Sequence, residues 1–242
     1  MLRSKIYQTD LAYIHHVGFG DFAKRAAPEL LRILRQAGIR SGTLVDLACG
    51  SGLWAQAAGR AGFNVIGVDQ SPEMIRLAKR VAPGARLHRA SLYDFDLPPC
   101  DAITILGEGL SYLDACRTPQ VNPWFGRVAK ALRRGGLFLF DVIVRHGPPM
   151  NYRVWRAGKD WAVLVEVAEQ PAKRCLTRQH TAFRKIGARY RRSEETHVVR
   201  LFDRATLARA LRRAGFSVRQ SRRYGKLRLA PRRMAFIARK RS

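Results

Sequence analysis

Apolar residues in the first part of the chain recur in two alternating patterns. Residues 22–36 carry apolar side chains at helical spacing, and the pattern stops at Gly38, a common helix end. Short apolar runs then alternate with further helical patterns, and we expect strands at residues 43–48, 64–68, 87–90, 102–106 and 137–144. Strands that alternate with helices at short spacing are typical of parallel βαβ units. The pattern therefore predicts a doubly wound α/β sheet whose strands are mostly parallel.

The pattern changes after residue 150. Three segments alternate apolar and polar positions with period two: residues 161–169, 176–183 and 189–202. This alternation is typical of an antiparallel meander with one exposed face. A helical pattern returns from Asp203, a good N-cap, to Gly215, and two more strand patterns follow at residues 217–221 and 234–238. We therefore expect a seven-stranded, mostly parallel sheet with an antiparallel β insertion between its fifth strand and its last helix.

The chain divides into three predicted parts. We expect residues 1–40 to form an N-terminal helical segment, residues 41–150 and 203–242 the α/β core, and residues 151–202 the inserted antiparallel subdomain. A length of 242 residues suits one domain that carries such an insertion.

Cysteine and histidine spacing bears on the compartment and on metal binding. The four cysteines form no close pairs: Cys49, Cys100, Cys116 and Cys175. We expect reduced, partly buried thiols in a cytoplasmic protein. No run reaches the roughly 18 apolar residues of a membrane span, and the N-terminus lacks the apolar core of a secretory signal. The histidines show no metal-ligand spacing, so the sequence predicts no metal site.

The net charge of +27 is unevenly distributed. Residues 1–150 hold 19 Lys and Arg against 12 Asp and Glu, whereas residues 151–242 hold 26 against 6. One interpretation is a face that binds polyanions such as nucleic acid. The other is an arginine-rich, solvated surface. The basic residues recur at intervals rather than in one block, which favours the second interpretation.

A glycine turn follows the first predicted strand, in the sequence Val-Asp-Leu-Ala-Cys-Gly-Ser-Gly at residues 45–52. Glycine lets the backbone approach a ligand, and the following helix presents free N–H groups. Residues 50–55 also fit the dinucleotide pattern GxGxxG/A. Asp46 argues against a dinucleotide. A carboxylate at this position would attract a cationic amino group of the ligand, whereas a pyrophosphate would gain nothing from it. The chain also has no Tyr-x-x-x-Lys pair for hydride transfer after the core.

This turn resembles the first motif of the class I SAM-dependent methyltransferases, which are Rossmann-like enzymes that use S-adenosylmethionine (SAM). Asp69, at the end of the second strand, matches the family's acidic residue for the ribose hydroxyls. Further stretches resemble family motifs in the same order: residues 71–74, 92–98, 131–138 and 211–216. The resemblance covers residues 40–145 and 203–239. It implies a Rossmann-like fold, SAM as cofactor, and methyl transfer.

The resemblance also implies which residues bind the cofactor. They are Asp46, Ala48, Cys49, Gly50, Gly52, Trp54, Asp69, Gln70, Met74, Ser91, Leu92 and Gly107. Ser91 stands where the family often has an acid for the adenine amino group, so this contact departs from the family pattern. Asp69 could alternatively cap a turn. Cys49 could be a nucleophile, but a small residue suits this turn and no histidine is near in sequence, which favours packing. Trp54 suits either the helix core or a wall of the cofactor pocket.

The methyl acceptor is expected above the carboxyl ends of the strands. An N-terminal lid, the loop after the fourth strand and a substrate-covering insertion can all reach that place. The candidate substrate contacts are Tyr7, Tyr13, His16 and Tyr112. Glu108 follows the fourth strand directly, where it could contact the methionine end or the acceptor, or simply occupy a surface turn.

A carboxylate and an imidazole lie two positions apart in the insertion. Strand period two puts Glu195, His197 and Val199 on one face. Glu195 could then orient the ring and make His197 a catalytic base. The alternative is an exposed pair on the solvent face of an antiparallel strand.

The loop after the fourth strand indicates the class of acceptor. It reads Gly-Glu-Gly-Leu at residues 107–110, not the Asn/Asp-Pro-Pro-Tyr/Phe of the family's amino-methylating nucleic-acid enzymes. Pro99-Cys100 lies before the strand, where a cytosine-C5 nucleophile would not be. We therefore favour methyl transfer to N or O of a small molecule. An RNA methyltransferase that uses the basic C-terminal part and a non-catalytic SAM-binding module remain alternatives.

Overall fold

The computed structural model describes residues 6–112 and 121–241. Within these residues the α-helices are α1 (Thr9–Phe19), α2 (Asp21–Gln36), α3 (Leu53–Arg60), α4 (Pro72–Val81), α5 (Val121–Ala131) and α6 (Arg204–Arg213). The core strands are β1 (Gly42–Leu47), β2 (Phe63–Asp69), β3 (Arg86–Arg89), β4 (Cys100–Ile105) and β5 (Leu132–Ile143). The later strands are β6 (Asn151–Ala157), β7 (Trp161–Gln170), β8 (Cys175–Ile186), β9 (Arg189–Arg200), β10 (Phe216–Ser221), β11 (Arg223–Tyr224), β12 (Leu227–Arg228) and β13 (Arg233–Lys240). Short 3-10 turns span Gly109–Ser111 and Pro171–Lys173.

The central sheet confirms the predicted Rossmann-like fold. Its seven strands within the described residues run in the order β10-β13-β5-β4-β1-β2-β3. The neighbouring strands from β5 to β3 pair in parallel. Strand β13 pairs antiparallel with both of its neighbours, β5 and β10. Apolar clusters cover both faces of the sheet, one beneath α5 and α6 and the other beneath α2 and α3. Burial on both faces explains why the inner strands are continuous apolar runs.

The predicted antiparallel insertion is also present, but it has one more strand than the sequence indicated. It forms a second, four-stranded antiparallel sheet in the order β6-β7-β8-β9. All residues of β6 are exposed, so it carries no alternation of apolar and polar positions. Hydrogen bonds to β7, rather than burial, hold this edge strand in place. The β11–β12 hairpin was missed because each strand has two residues.

Helix α1 packs against the second sheet. Leu11 and Ile14 share an apolar cluster with Trp161, Val163 and Ala182. A buried carboxylate adds two ion pairs, since Asp10 lies 2.5 Å from Arg191 and 3.6 Å from Arg184. The N-terminal helix and the inserted sheet are therefore fastened to each other as well as to the core.

Two predicted helix starts are confirmed by their capping hydrogen bonds. The Ser71 hydroxyl accepts from the backbone N–H of Met74 at 3.2 Å, and Asp203 accepts from that of Thr206 at 2.7 Å. Three cysteines are buried free thiols, namely Cys49, Cys100 and Cys175. Cys116 and residues 1–5 of the predicted N-terminal segment lie outside the described residues. None of the helices described is long and apolar enough to cross a membrane.

Candidate functional site

A cavity of about 760 Å³ lies at the carboxyl ends of the central strands, between α1, α2 and the inner face of the second sheet. Every predicted cofactor residue lines it except Gly52. Gly52 has a φ of +81°, and a Cβ there would lie 3.1 Å from Ala78, so this glycine lets α3 pack against α4 instead. The predicted ligand contact of Gly52 is therefore corrected to a packing role.

The turn after β1 leaves open space toward the cavity. Ala48 and Gly50 both have left-handed backbones, with φ values of +53° and +54°. A Cβ added at Gly50 would meet no protein atom within 4 Å, so the backbone itself faces the cavity. Such an open, glycine-lined cradle at a helix start fits a nucleoside ligand.

Cys49 is packed inside this turn. Its backbone N–H donates to the carbonyl of Val68 at 3.0 Å, and its Sγ lies beside Gly67. Burial, together with the charges of Asp69 and Asp46, raises the pKa of the thiol well above its usual value. A thiol held in its neutral form is a poor nucleophile, which supports the packing interpretation.

Asp69 is held by two backbone amides at the end of β2. Its carboxylate accepts from the N–H groups of Gly50 and Ser71, both at 2.9 Å. Burial raises its pKa, and these hydrogen bonds oppose the shift. The residue therefore caps the turn and lines the cavity at the same time.

Asp46 belongs to a buried chain of side chains that crosses from β1 to β4. The Thr104 hydroxyl donates to Asp46 at 2.8 Å and accepts from the indole N–H of Trp54 at 2.9 Å. Burial raises the pKa of Asp46 to about 7, the Thr104 hydrogen bond lowers it, and the charge of Asp69 raises it further. Trp54 is thus both a core residue and a cavity wall. Thr104 was missed because its pairing with Asp46 depends on the register of β1 and β4.

Glu108 is buried rather than part of a surface turn. It has a left-handed backbone with φ of +69°, and its carboxylate forms ion pairs with Arg178, at 2.9 Å, and with Arg233. Burial alone would raise its pKa, but the charges of Arg178 and Arg233 lower it below its usual value. A carboxylate held ionised by two arginines is an anchor and a poor proton acceptor.

Asp141, on β5, holds the loop that carries Glu108. Its carboxylate accepts from the backbone N–H groups of Gly107, at 3.1 Å, and Glu108, at 3.0 Å. The Tyr224 hydroxyl donates to it at 3.1 Å. Sequence reasoning missed Asp141, although a lone acid within the apolar run of residues 137–144 was a signal of a buried polar contact.

Tyr7 and Tyr112 form a hydrogen-bonded pair in the cavity wall. Their hydroxyl oxygens lie 2.8 Å apart, and Arg178 donates to that of Tyr112 at 3.3 Å. Burial raises the pKa of Tyr7 well above its usual value, and the charge and hydrogen bond of Tyr112 raise it further, so this phenol is neutral. The backbone N–H of Tyr7 donates to Glu195 at 2.6 Å. Both tyrosines predicted here thus line the cavity.

Glu195 and His197 face inward, so the exposed alternative is wrong. Their side chains lie 3.0 Å apart, and the imidazole of His197 is fully buried. Its ring contacts Tyr7, Tyr112 and His180 at centroid distances of 4.9, 5.6 and 4.5 Å. Those three rings line the cavity and His197 does not. The geometry therefore favours a supporting role for His197 over direct proton transfer.

Two further histidines, His15 and His180, reach the cavity wall. Burial lowers the pKa of His15 to about 4 and that of His180 to about 3. Their Nδ1 atoms are buried without a hydrogen-bond partner among the described residues. Neutral imidazoles thus face the cavity. Sequence reasoning did not mark His180.

Tyr13 and His16 do not reach the cavity wall, which corrects two predicted substrate contacts. The Tyr13 hydroxyl donates to Asp160 at 2.6 Å, and His16 Nδ1 lies 2.9 Å from the Ser51 hydroxyl. Helical spacing turns these side chains of α1 away from the face that carries His15. They fasten α1 to the second sheet and to the glycine turn.

Comparisons with known proteins identify the family and the fold of the chain. The family model of a methyltransferase domain matches residues 15–221. The chain belongs to this methyltransferase family, and its class is that of the SAM-dependent enzymes with SAM as cofactor.

Individual relatives are similar over nearly the whole chain. A dTDP-3-amino-3,6-dideoxy-alpha-D-glucopyranose N,N-dimethyltransferase of Streptomyces fradiae is 24% identical over 223 residues, which are 88% of this chain and 86% of the relative. The solved SAM-dependent methyltransferase of Clostridium acetobutylicum superposes with a TM-score of 0.81 at 17% identity, covering 96% of this chain and 98% of that one. Streptomyces venezuelae DesVI gives a TM-score of 0.78 at 20% identity, covering 98% and 100%. The two structures establish the shared fold.

Proposed function

We propose that the enzyme methylates an amine nitrogen of a small-molecule acceptor held beneath the second sheet. The observation that carries this proposal is the state of the ionisable groups at the acceptor end. Glu108 is an ionised carboxylate paired with two arginines, His15 and His180 have lowered pKa values, and Tyr7 is a neutral phenol. A hydroxyl acceptor must lose a proton in order to react, whereas a neutral amine already has a free electron pair. The site suits the amine.

The cofactor end of the cavity would hold SAM through the loops that follow the first strands of the central sheet. Bound SAM supplies an electrophilic methyl group on a sulfonium. Asp69 would accept from the ribose hydroxyls, Asp46 would face the cationic amino group, and the backbone at Gly50 would lie against the nucleoside. Ser91 and Leu92 would contact the adenine ring. The remaining wall consists of Ala48, Cys49, Trp54, Gln70, Met74 and Gly107.

The acceptor end orients the amine and excludes water. The oxygens of Tyr7 and Tyr112 accept its N–H groups, which turns the nitrogen electron pair toward the methyl carbon. Transfer would form the N–C bond as the S–C bond of SAM breaks, and the sulfur would keep the electron pair. The methylated ammonium then releases its proton to water. Helix α1 is the lid over this reaction, and the inner face of the second sheet is the cover.

Two further observations support a small amine over RNA. The lid and the cover both line the cavity, so a nucleotide inside a duplex has no straight approach to the methyl group. The Streptomyces fradiae relative is, by its name, an N,N-dimethyltransferase of a 3-amino sugar. Its acceptor atom is of the class that this site suits.

The test is transfer of labelled methyl from SAM by the purified full chain to matched acceptor pairs. Each pair consists of an amino sugar and the parent sugar with a hydroxyl at the same carbon, and product masses are read by mass spectrometry. We expect label on the amino compounds alone. Label on hydroxyl compounds, or on added RNA and on neither sugar, would refute the proposal.

A further inference from the structure

The strongest charge asymmetry of the chain lies in its last segment. Residues 203–242 contain 14 Lys and Arg but one acid, Asp203. Helix α6 concentrates this charge on its solvent side, where four arginines are exposed: Arg204, Arg209, Arg212 and Arg213. Residues 209, 212 and 213 are neighbours on one helix face, since they are three and four positions apart.

Helices α2 and α4 each contain one arginine that pairs with a carboxylate of the same helix, although Arg25, Arg35 and Arg80 on these helices have no such partner among the described residues, and α6 contains no such pair. On α2, Arg32 pairs with Glu29 at 3.1 Å, and on α4, Arg76 pairs with Glu73, both three positions apart. Among the described residues, no carboxylate forms an ion pair with the arginines of α6. Asp203 uses its carboxylate to cap the helix. Like charges at this spacing repel one another, although Arg212 and Arg213 in the last turn also interact favourably with the C-terminal end of the helix dipole.

A groove of about 320 Å³ continues this charged surface beside the first turns of α6. Three arginines line it from separate elements: Arg145 after β5, Arg174 before β8 and Arg200 at the end of β9. In the part of the chain that the structure describes, none of the three has a carboxylate within ion-pair distance. The Arg200 guanidinium lies over the ring of Phe202, 5.1 Å from its centroid. Planar guanidinium groups suit phosphate oxygens, because they donate two parallel hydrogen bonds.

This surface is separate from the methyl-transfer site. The groove and the large cavity share no lining residue among those described. The groove is bordered by α6 and the start of α5, whereas the cavity is bordered by α1, α2 and the inner face of the second sheet. A ligand on one surface therefore leaves the other free.

We infer that the arginine face, made up of Arg145, Arg174, Arg200 and the four arginines of α6, binds the phosphodiester backbone of RNA. Repeated phosphates match a row of seven arginines that ends in a groove, where Asp203 is the one carboxylate among the described lining residues. An anionic membrane fits less well, because the exposed large apolar residues lie on α1 and the second sheet, and none lies in residues 203–241. Binding here tethers the enzyme to a polyanion and is independent of the acceptor in the cavity.

The test uses a fluorescein-labelled RNA duplex of about 20 base pairs and mixed sequence, with fluorescence anisotropy as the readout. If the site makes four phosphate contacts, its affinity for RNA should fall about a hundredfold as the salt concentration rises from about 50 to 200 mM. The variant Arg209→Gln/Arg212→Gln/Arg213→Gln should weaken binding at least tenfold and reduce the steepness of the salt dependence by about three. Its methyl transfer to a small amine should be unchanged.

The matched control removes three exposed basic residues at the opposite edge of the sheet: Arg60→Gln/Arg86→Gln/Arg89→Gln. It has the same net charge as the α6 variant, and we expect it to bind RNA like the unmodified enzyme. Equal losses in both variants, or no loss in either, would overturn the assignment. Tighter binding to phosphatidylserine vesicles than to RNA, at equal phosphate concentration, would also overturn it in favour of a lipid surface.

Discussion

The carboxylate of Glu108 lies 2.9 Å from the guanidinium of Arg178 and joins the loop after β4 to the second sheet. The same carboxylate pairs with Arg233 on β13. One buried acid thus connects the central sheet, the loop at the reaction site and the cover. It fixes Arg178 against Tyr112 and, through Tyr112, the Tyr7 hydroxyl in the cavity wall.

Replacing Glu108 tests whether it is an anchor or a base. Glu108→Gln leaves the Arg178 guanidinium without its counter-charge and leaves Arg233 with Asp141 alone, so we expect the free energy of unfolding to fall by about 3 kcal/mol. Urea denaturation measures the change. Glu166→Gln is the matched control, because Glu166 pairs with Arg153 on the exposed face of the second sheet and its loss should change stability little. Lost turnover at unchanged stability would instead identify Glu108 as a base.

SAM affinity should depend on pH through Asp46. Burial raises the pKa of this carboxyl to about 7 in the free protein, and the cationic amino group of SAM favours the ionised form. Below pH 7 binding must therefore remove a proton, and affinity should fall by up to about tenfold per pH unit. Calorimetry of the unmodified enzyme and of Asp46→Asn measures this. The cofactor's own amino group titrates in both, so the ratio of their affinities is the readout, and a constant ratio would contradict the assignment.

Gly50 and Gly38 separate backbone strain from ligand contact. Both have left-handed backbones, with φ of +54° and +83°, and a Cβ at either meets no protein atom within 4 Å. Substitution by alanine should lower the free energy of unfolding by about 1 kcal/mol at each position. We expect Gly50→Ala alone to weaken SAM binding, by at least about tenfold, because its Cβ enters the cavity. Equal SAM affinity in the two variants would show that the turn does not hold the cofactor.

The roles of Tyr7 and His197 are distinguishable by kinetics. Tyr7→Phe removes an oxygen that faces the acceptor, so we expect a fall of about tenfold or more in kcat/KM with SAM affinity unchanged. The exposed Tyr190→Phe is its control.

His197→Asn should lower turnover by disturbing Tyr7 and Tyr112, while both limbs of the pH–rate profile stay in place. Loss of the lower-pH limb in this variant would restore His197 as the base.

Local order along the chain was enough to predict the fold class and the cofactor end. Strand, glycine turn and helix are contiguous, so Asp46, Gly50 and Asp69 could be placed from spacing alone. The helix starts at Ser71 and Asp203 could also be predicted from the sequence, because an N-cap side chain needs only the backbone N–H three residues later. The alternation in β7 to β9 predicted an antiparallel sheet, because period two reports burial on one face.

The acceptor end was decided by tertiary structure. Glu108 lies 70 positions from Arg178 and 125 from Arg233, and Tyr7 lies 105 from Tyr112, so no local pattern brings these groups together. Strand period placed His197 on the same face as Glu195 but left open whether that face is buried, and the tertiary structure buries the ring against Tyr7. The electric charge of each group depends on the same packing, because burial and neighbouring charges, not residue type, determine which acid is neutral and which is ionised.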